Sequence, residues 1–217
     1  MGMATPKQYL RLGQRTVLEH ALAALEAEPR IQGVVVVTGA GEPTADRLRG
    51  ANESRPVLRA TGGSERADSV LNGLERLAGR VGPDAWVLVH DAARPCLRRE
   101  DLGRLIDTLA EDPVGGLLGT PVRDTMKRAD AEGRVETTVP REGLWHALTP
   151  QMFRLGLLQE AVRRAVAAGE RVTDEASAME RAGHRPRLVE GHSDNLKITR
   201  PEDLPLAEFY LRQQGRL

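Results

Sequence analysis

The sequence predicts an α/β fold built on a mostly parallel sheet with helices on both faces, and three observations carry that prediction. Apolar strand-like runs alternate with helix-period patterns through most of the 217 residues, the order that βαβ units produce. Several runs are continuously apolar, as strands buried on both faces are. Charged and glycine-bearing clusters follow the strands, at the edge where open α/β sheets hold ligands.

Val17, Leu18, Ala21, Leu22 and Leu25 line one face of a first helix, and residues 33–37 follow as a β-branched strand. A second short strand spans 57–60, and Val70, Leu71, Leu74 and Leu77 trace a helix that begins near Ser69. Val87, Leu88 and Val89 form a buried strand that stops abruptly at His90-Asp91-Ala92-Ala93-Arg94-Pro95. Leu102, Leu105, Ile106 and Leu109 give the next helix, and 115–120 a further strand. Residues 121–142 are polar, rich in Thr and Val, and carry Asp130-Ala131-Glu132-Gly133 at their middle, the pattern of a projecting β-hairpin. Two strands alone are marginal, so this arm is expected to rest on a second subunit. A strand at 144–148 leads to a helix through Leu157, Leu158, Ala161, Val162 and Ala165, and a helix opened by Thr173-Asp174-Glu175 ends at Gly183. Asn195-Leu196-Lys197-Ile198 reads as the last strand, and Thr199 with Glu202 has capping-box spacing before Leu204, Leu206, Ala207 and Phe209. The chain is expected to form one domain over 1–217 with the arm appended.

Composition narrows the function. Acids and bases balance at 31 each, so there is no general attraction to nucleic acid or anionic membrane, and any anion site must be local. The single cysteine, Cys96, excludes an internal disulfide framework. No apolar stretch approaches a bilayer span and no signal-peptide core is present, which points to a cytoplasmic setting.

The chemistry-bearing residues fall in four clusters: Pro6-Lys7-Gln8-Tyr9, Gly62-Gly63-Ser64-Glu65-Arg66, Asp91 with Arg94, and Asp194-Asn195-Leu196-Lys197. Gly62 and Gly63 are either a plain connector or a turn whose N–H groups face a phosphate or a base. Asp91 suits a Mg²⁺ ligand, since that ion often takes one carboxylate alongside substrate phosphates, and equally a cap on the following turn. Arg94 can fork onto a phosphate or form a surface ion pair, and Lys7 and Lys197 alone would be solvated lysines. Other chemistries fall away. His90 and Asp91 are successive strand residues facing opposite ways, there is no Gly-x-Ser-x-Gly elbow, and the five histidines lack metal-ligand spacing. Gly39-Ala40-Gly41-Glu42-Pro43-Thr44 follows a strand as a dinucleotide fingerprint would, but lacks the third glycine and puts an acid where a pyrophosphate would sit.

Seven segments occur together in order: Pro6-Lys7-Gln8-Tyr9-Leu10, Glu65-Arg66-Ala67-Asp68-Ser69-Val70, Val89-His90-Asp91-Ala92-Ala93-Arg94-Pro95, Pro121-Val122-Arg123-Asp124-Thr125-Met126-Lys127, Leu144-Trp145-His146-Ala147-Leu148-Thr149-Pro150-Gln151, Thr173-Asp174-Glu175-Ala176-Ser177 and Asp194-Asn195-Leu196-Lys197-Ile198-Thr199. With them the chain resembles the 2-C-methyl-D-erythritol 4-phosphate cytidylyltransferases of the non-mevalonate isoprenoid pathway over nearly its whole length. The resemblance implies a Rossmann-like nucleotidyltransferase fold, CTP as co-substrate, Mg²⁺ and a homodimer formed through the arm. It also implies roles. Lys7 and Lys197 would be catalytic, with Lys7 stabilising charge on the α-phosphate. Gly63, Ser69, Asp91 and Ala92 would contact CTP, with Asp91 also holding the metal. Asp91, Arg94, Thr125, Arg141, Thr173 and Lys197 would bind methylerythritol phosphate, some across the dimer. Ser64 stands where the family carries an acid.

The family opens with a hydrophobic strand and a Gly-rich loop that wraps the triphosphate, and Met1 follows that point. The natural start is therefore expected upstream, and without that strand two sheet edges should lack partners. The alternatives are a cytidylyltransferase for another polyol phosphate, such as ribitol 5-phosphate, and a non-catalytic binding protein if the triphosphate loop is absent.

Overall fold

A computed structural model describes residues 6–40 and 55–217. Lys7–Tyr9 form a single 3₁₀ turn, followed by the short antiparallel pair β1 (Arg11–Leu12) and β2 (Arg15–Thr16). Thr16 caps α1 (Val17–Glu26) through a capping box with Glu19, whose N–H donates to the Thr16 hydroxyl. The parallel strands β3 (Val34–Thr38) and β4 (Val57–Thr61) come next, then α2 (Arg66–Ala78) and β5 (Trp86–Val89). The chain continues through α3 (Arg99–Leu109), β6 (Gly115–Pro121), the hairpin β7 (Met126–Ala129) and β8 (Val135–Val139), and the long β9 (Trp145–Arg154). It ends with α4 (Leu155–Ala167), α5 (Glu175–Arg181), β10 (Arg187–Glu190) and α6 (Asp203–Gln213).

The main sheet has the order β10-β6-β9-β5, in which β5, β6 and β10 run one way and β9 runs against them. Neighbouring side chains on a strand face opposite ways, and the core divides accordingly. Leu117 and Phe153 pack with Leu74 of α2, Leu158 and Val162 of α4 and Met179 of α5. Their neighbours Leu118 and Met152 pack with Ala24 of α1 and Leu102, Leu105 and Leu109 of α3. Helices thus cover both faces, as expected. Gly116 is required by the close β6–β10 approach, because a Cβ there would strike the backbone of Arg187. Among the described residues β3 and β4 pair only with each other, and β5 pairs only with β9.

Several boundaries differ from the sequence expectation. Asn195-Leu196-Lys197-Ile198 is not a strand: it is extended chain laid against the turn after β5, with the Ile198 N–H donating to the Ala93 carbonyl at 2.9 Å. The last strand is β10, whose mixed Arg-Leu-Val-Glu pattern is that of a half-exposed sheet edge. Glu202 does not form a box with Thr199; the Asp203 carboxylate accepts from the N–H and hydroxyl of Thr199 instead. Helix α2 opens at Arg66 rather than near Ser69, since Asp68 accepts from the Glu65 N–H and closes the turn earlier. Strand β9 runs on to Arg154 between β5 and β6. Met1 and residues 41–44 of the dismissed fingerprint lie outside the described residues. Among the described residues, no helix is long and apolar enough to cross a membrane.

Candidate active site

The site is built on the turn that follows β5. The Arg94 N–H closes the turn onto the Asp91 carbonyl at 3.0 Å, and two side chains brace it from beneath. His90 donates from Nε2 to the Arg94 carbonyl at 3.0 Å, which leaves its Nδ1 to accept from the Thr149 hydroxyl at 2.9 Å. That hydroxyl oxygen in turn accepts the Asp91 N–H at 3.1 Å. Burial pushes the His90 imidazole down to about 4, so the neutral tautomer these bonds require is kept at neutral pH. His90 is therefore a brace, with no dyad to Asp91, in line with the alternation argument.

Around this turn the structure gathers cations. Lys197 Nζ lies 2.9 Å from Asp91 Oδ2, Arg94 Nε lies 3.5 Å from the same oxygen, and Arg66 Nη2 lies 3.9 Å from Oδ1. Burial alone would raise the Asp91 carboxyl, but the Lys197 hydrogen bond and the surrounding charges outweigh it and hold it below the ordinary carboxylate value. Lys197 arrives because its segment is pinned. Arg94 donates to the Asn195 carbonyl at 2.7 Å, and the Asn195 side chain donates to the Thr149 carbonyl at 2.7 Å. Lys7, on the 3₁₀ turn, is shifted down first by burial and then by the charge of Lys197, with Asp91 opposing. Tyr9 of the same turn and Ala92 both pack against Leu18 and Val36, which puts Ala92 on the β3–β4 side of the site.

Two further residues belong to this group, and they carried no individual role in the sequence reading. Arg66, the first residue of α2, grips Glu175, the first residue of α5, through a hydrogen bond of 3.1 Å and an ion-pair contact of 2.8 Å. Glu175 is 1 % exposed, and a buried carboxylate is tolerated only when paired in this way. The only local signal was weak: an arginine in a first helical turn opposes the helix dipole.

Of the two readings the sequence allowed, the glycine pair follows the plain connector. The Gly62 N–H donates to the Thr38 carbonyl at 2.8 Å and the Gly63 N–H to the Ser69 hydroxyl at 3.0 Å, so neither is left to face a phosphate. A Cβ at Gly63 would collide with Asp68, so packing against the start of α2 already demands glycine there. Ser69 spends its hydroxyl on Gly63 and on the Glu65 carbonyl. Thr173 stands in the loop leading to Glu175, with its N–H on Ser177. Thr125 and Arg141 sit exposed at the base of the arm, Arg141 donating to the Arg123 carbonyl. Among the described residues no hydrogen bond or ion pair joins either to Asp91, Arg94 or Lys197.

Four cations, Lys7, Arg66, Arg94 and Lys197, thus surround two carboxylates, Asp91 and Glu175. Arg94 Nε is buried and faces Asp91 Oδ2 at 3.5 Å, an ion-pair contact without full hydrogen-bond geometry. Among the described residues no reactive thiol or Ser-His pair is offered: burial pushes the Cys96 thiol up to about 12.

Comparison with known proteins gives one answer at every level. The family model described as IspD, 2-C-methyl-D-erythritol 4-phosphate cytidylyltransferase, matches residues 1–213. The enzyme of that name from Ectopseudomonas mendocina (strain ymp) is 58% identical over 205 residues, covering 94% of this chain and 87% of the relative. That of Pseudomonas putida (strain W619) is 55% identical over 215 residues, covering 99% and 89%. A crystal structure of 4-diphosphocytidyl-2C-methyl-D-erythritol synthase superimposes with a TM-score of 0.85 at 42% identity, over 95% of each chain. The Francisella tularensis cytidylyltransferase gives 0.81 at 32% identity, over 95% of this chain and 94% of that one.

Proposed function

The chain belongs to the 2-C-methyl-D-erythritol 4-phosphate cytidylyltransferase family, and from that premise we propose how its own residues carry out the family's reaction. The enzyme transfers the cytidylyl group of CTP to 2-C-methyl-D-erythritol 4-phosphate, giving 4-diphosphocytidyl-2-C-methyl-D-erythritol and pyrophosphate. An oxygen of the methylerythritol phosphate bonds to the α-phosphorus as the bond from that phosphorus to pyrophosphate breaks. A phosphate monoester has a second pKa near ~6, so the attacking oxygen is already anionic and needs no general base. What remains is alignment and charge stabilisation.

The observation that supports this reading best is the convergence of Lys197, Arg94 and Arg66 on Asp91, with Lys7 beside them. In the proposed division of labour Lys7 stabilises the five-coordinate α-phosphate and Lys197 moves from Asp91 to the reacting phosphates. Arg94 takes the phosphate of the second substrate, and Asp91 binds ligand hydroxyls. Gly63, Ser69 and Ala92 shape the cytosine side, Gly63 through close approach rather than through its N–H group. Thr173 completes the polyol pocket. Thr125 and Arg141 reach the site of a second copy on the exposed arm of a homodimer, in a cytoplasmic enzyme.

One carboxylate suits Mg²⁺ that arrives with nucleotide phosphates, and Asp91 would hold it there. When bound, the ion would offset charge on the phosphates. Because three cations already face Asp91, calorimetry should show Mg²⁺ binding only when CTP is present; a tight site in the protein alone would contradict this assignment. For the reaction, pyrophosphate release should require CTP and be far faster with methylerythritol phosphate than with ribitol 5-phosphate. Equal rates with both would overturn the substrate assignment, and release from neither would favour a binding protein.

A further inference from the structure

We propose that Arg66 and Glu175 form a positioning couple that sets the distance between the nucleotide side and the polyol side of the site. The two residues stand at the first positions of α2 and α5, on segments far apart in sequence. Arg66 continues the Gly62–Gly63 turn, and Glu175 follows Thr173. Between them the guanidinium reaches within 3.9 Å of Asp91, so one side chain touches three segments of the site.

Local energetics favour Glu175 at the start of α5 but not Arg66 at the start of α2. An arginine in the first turn of a helix opposes the dipole, and its burial alone would lower its pKa. Glu175 is buried and its carboxyl is pushed up by that burial, with Arg66 pulling against it. The buried Glu175 is compensated chiefly by Arg66, whose guanidinium also faces Asp91. The guanidinium meets the carboxylate at two points, Nη2 donating to Oε2 at 3.1 Å and Nη1 in ion-pair contact with Oε1 at 2.8 Å, which fixes orientation as well as distance. Glu175 is itself held in place. The neighbouring Asp174 side chain accepts from Gln151 at 3.0 Å, and the Ala176 N–H donates to the same glutamine at 2.7 Å, so α5 is anchored to β9. Arg66 therefore transmits the position of a rigid sheet strand to the turn at Gly62 and Gly63.

The inference rests on the proposed transfer reaction for its kinetic readout and is independent of it for its structural one. In the full chain, Arg66→Gln and Glu175→Gln should each lower kcat by about 10- to 100-fold. The KM values for CTP and methylerythritol phosphate should stay within about threefold, and Arg66→Lys should recover little because it lacks the fork. The Arg66→Gln/Glu175→Gln double variant should be no slower than the slower single variant, since both remove one interaction. Unchanged kcat, or losses that multiply, would overturn the couple. Amide hydrogen exchange supplies the second arm, readable even if the wild-type chain turned over no CTP. Arg66→Gln should speed exchange across 173–177, and Glu175→Gln across 62–69. Effects confined to the mutated element would overturn the proposal.

Discussion

Lys7 has the charge and the surroundings of a transition-state stabiliser: it is partly withdrawn from water and shares its space with Lys197 and Asp91. Its contribution should be largest when negative charge spreads over the α-phosphate, so Lys7→Ala should lower kcat by about 100-fold or more while CTP affinity stays within about threefold. Steady-state kinetics and calorimetry decide this, and equal losses in both would remove Lys7 from that role. Thr149 is the less obvious residue. Its hydroxyl serves the His90 ring and the Asp91 N–H together, in a buried position. Thr149→Val should cost about 1–3 kcal/mol of stability by leaving two buried polar groups unpaired, and should lower kcat by loosening Asp91, whereas Thr149→Ser should restore both. Thermal melts and turnover check it. The sequence made Asp91 and Arg94 visible as charges at a strand end and Lys7 and Lys197 visible only through the family resemblance, while Thr149 read only as part of a motif. Its importance comes from a contact spanning two strands, which no local pattern encodes.

At the scale of elements, the arm formed by β7 and β8 is the clearest case. Every residue of β7, and all of β8 but its last, is exposed, Met126 and Val135 among them. The hairpin was legible from its polar, Thr-rich composition and central Asp130 to Gly133 turn. If the arm holds a second subunit, Val135→Asp should shift the protein toward monomer in sedimentation equilibrium and reduce turnover, because Arg141 and Thr125 would no longer reach the neighbouring site. A variant that remains dimeric would show that another surface carries the association. The segment containing Lys197 teaches the opposite lesson. Its apolar residues suggested a strand, yet Leu196 and Ile198 pack among Leu12, Cys96, Ala207 and Leu211 while the backbone docks on Ala93. Apolar alternation records burial of side chains, and burial does not require a ladder partner.

For the whole molecule, stability should depend on pH through His20, a buried histidine away from the turn that follows β5. His20 is buried on α1 with one ring nitrogen on the Leu12 carbonyl, and burial lowers its pKa while that hydrogen bond opposes the shift. In the unfolded chain it titrates near ~6.5, so on acidification the unfolded state takes up the proton first. Stability present above that value is therefore lost as pH falls toward the lower folded pKa. His20→Asn should flatten the decline of Tm between about pH 7.5 and pH 5, and an unchanged slope would contradict the assignment. The alternation of helices and strands, the placement of charge beyond β5 and the projecting arm were determined by the sequence itself, because the 3.6- and 2-residue periods and the turn residues are local properties. Tertiary structure alone decided that Lys197 lies 2.9 Å from Asp91, that the glycine N–H groups are spent inside the protein, and that Arg66 meets Glu175. These are contacts between segments distant in the chain. They follow from how the helices pack on the sheet, where burial drives each charge to a partner that sequence separation conceals.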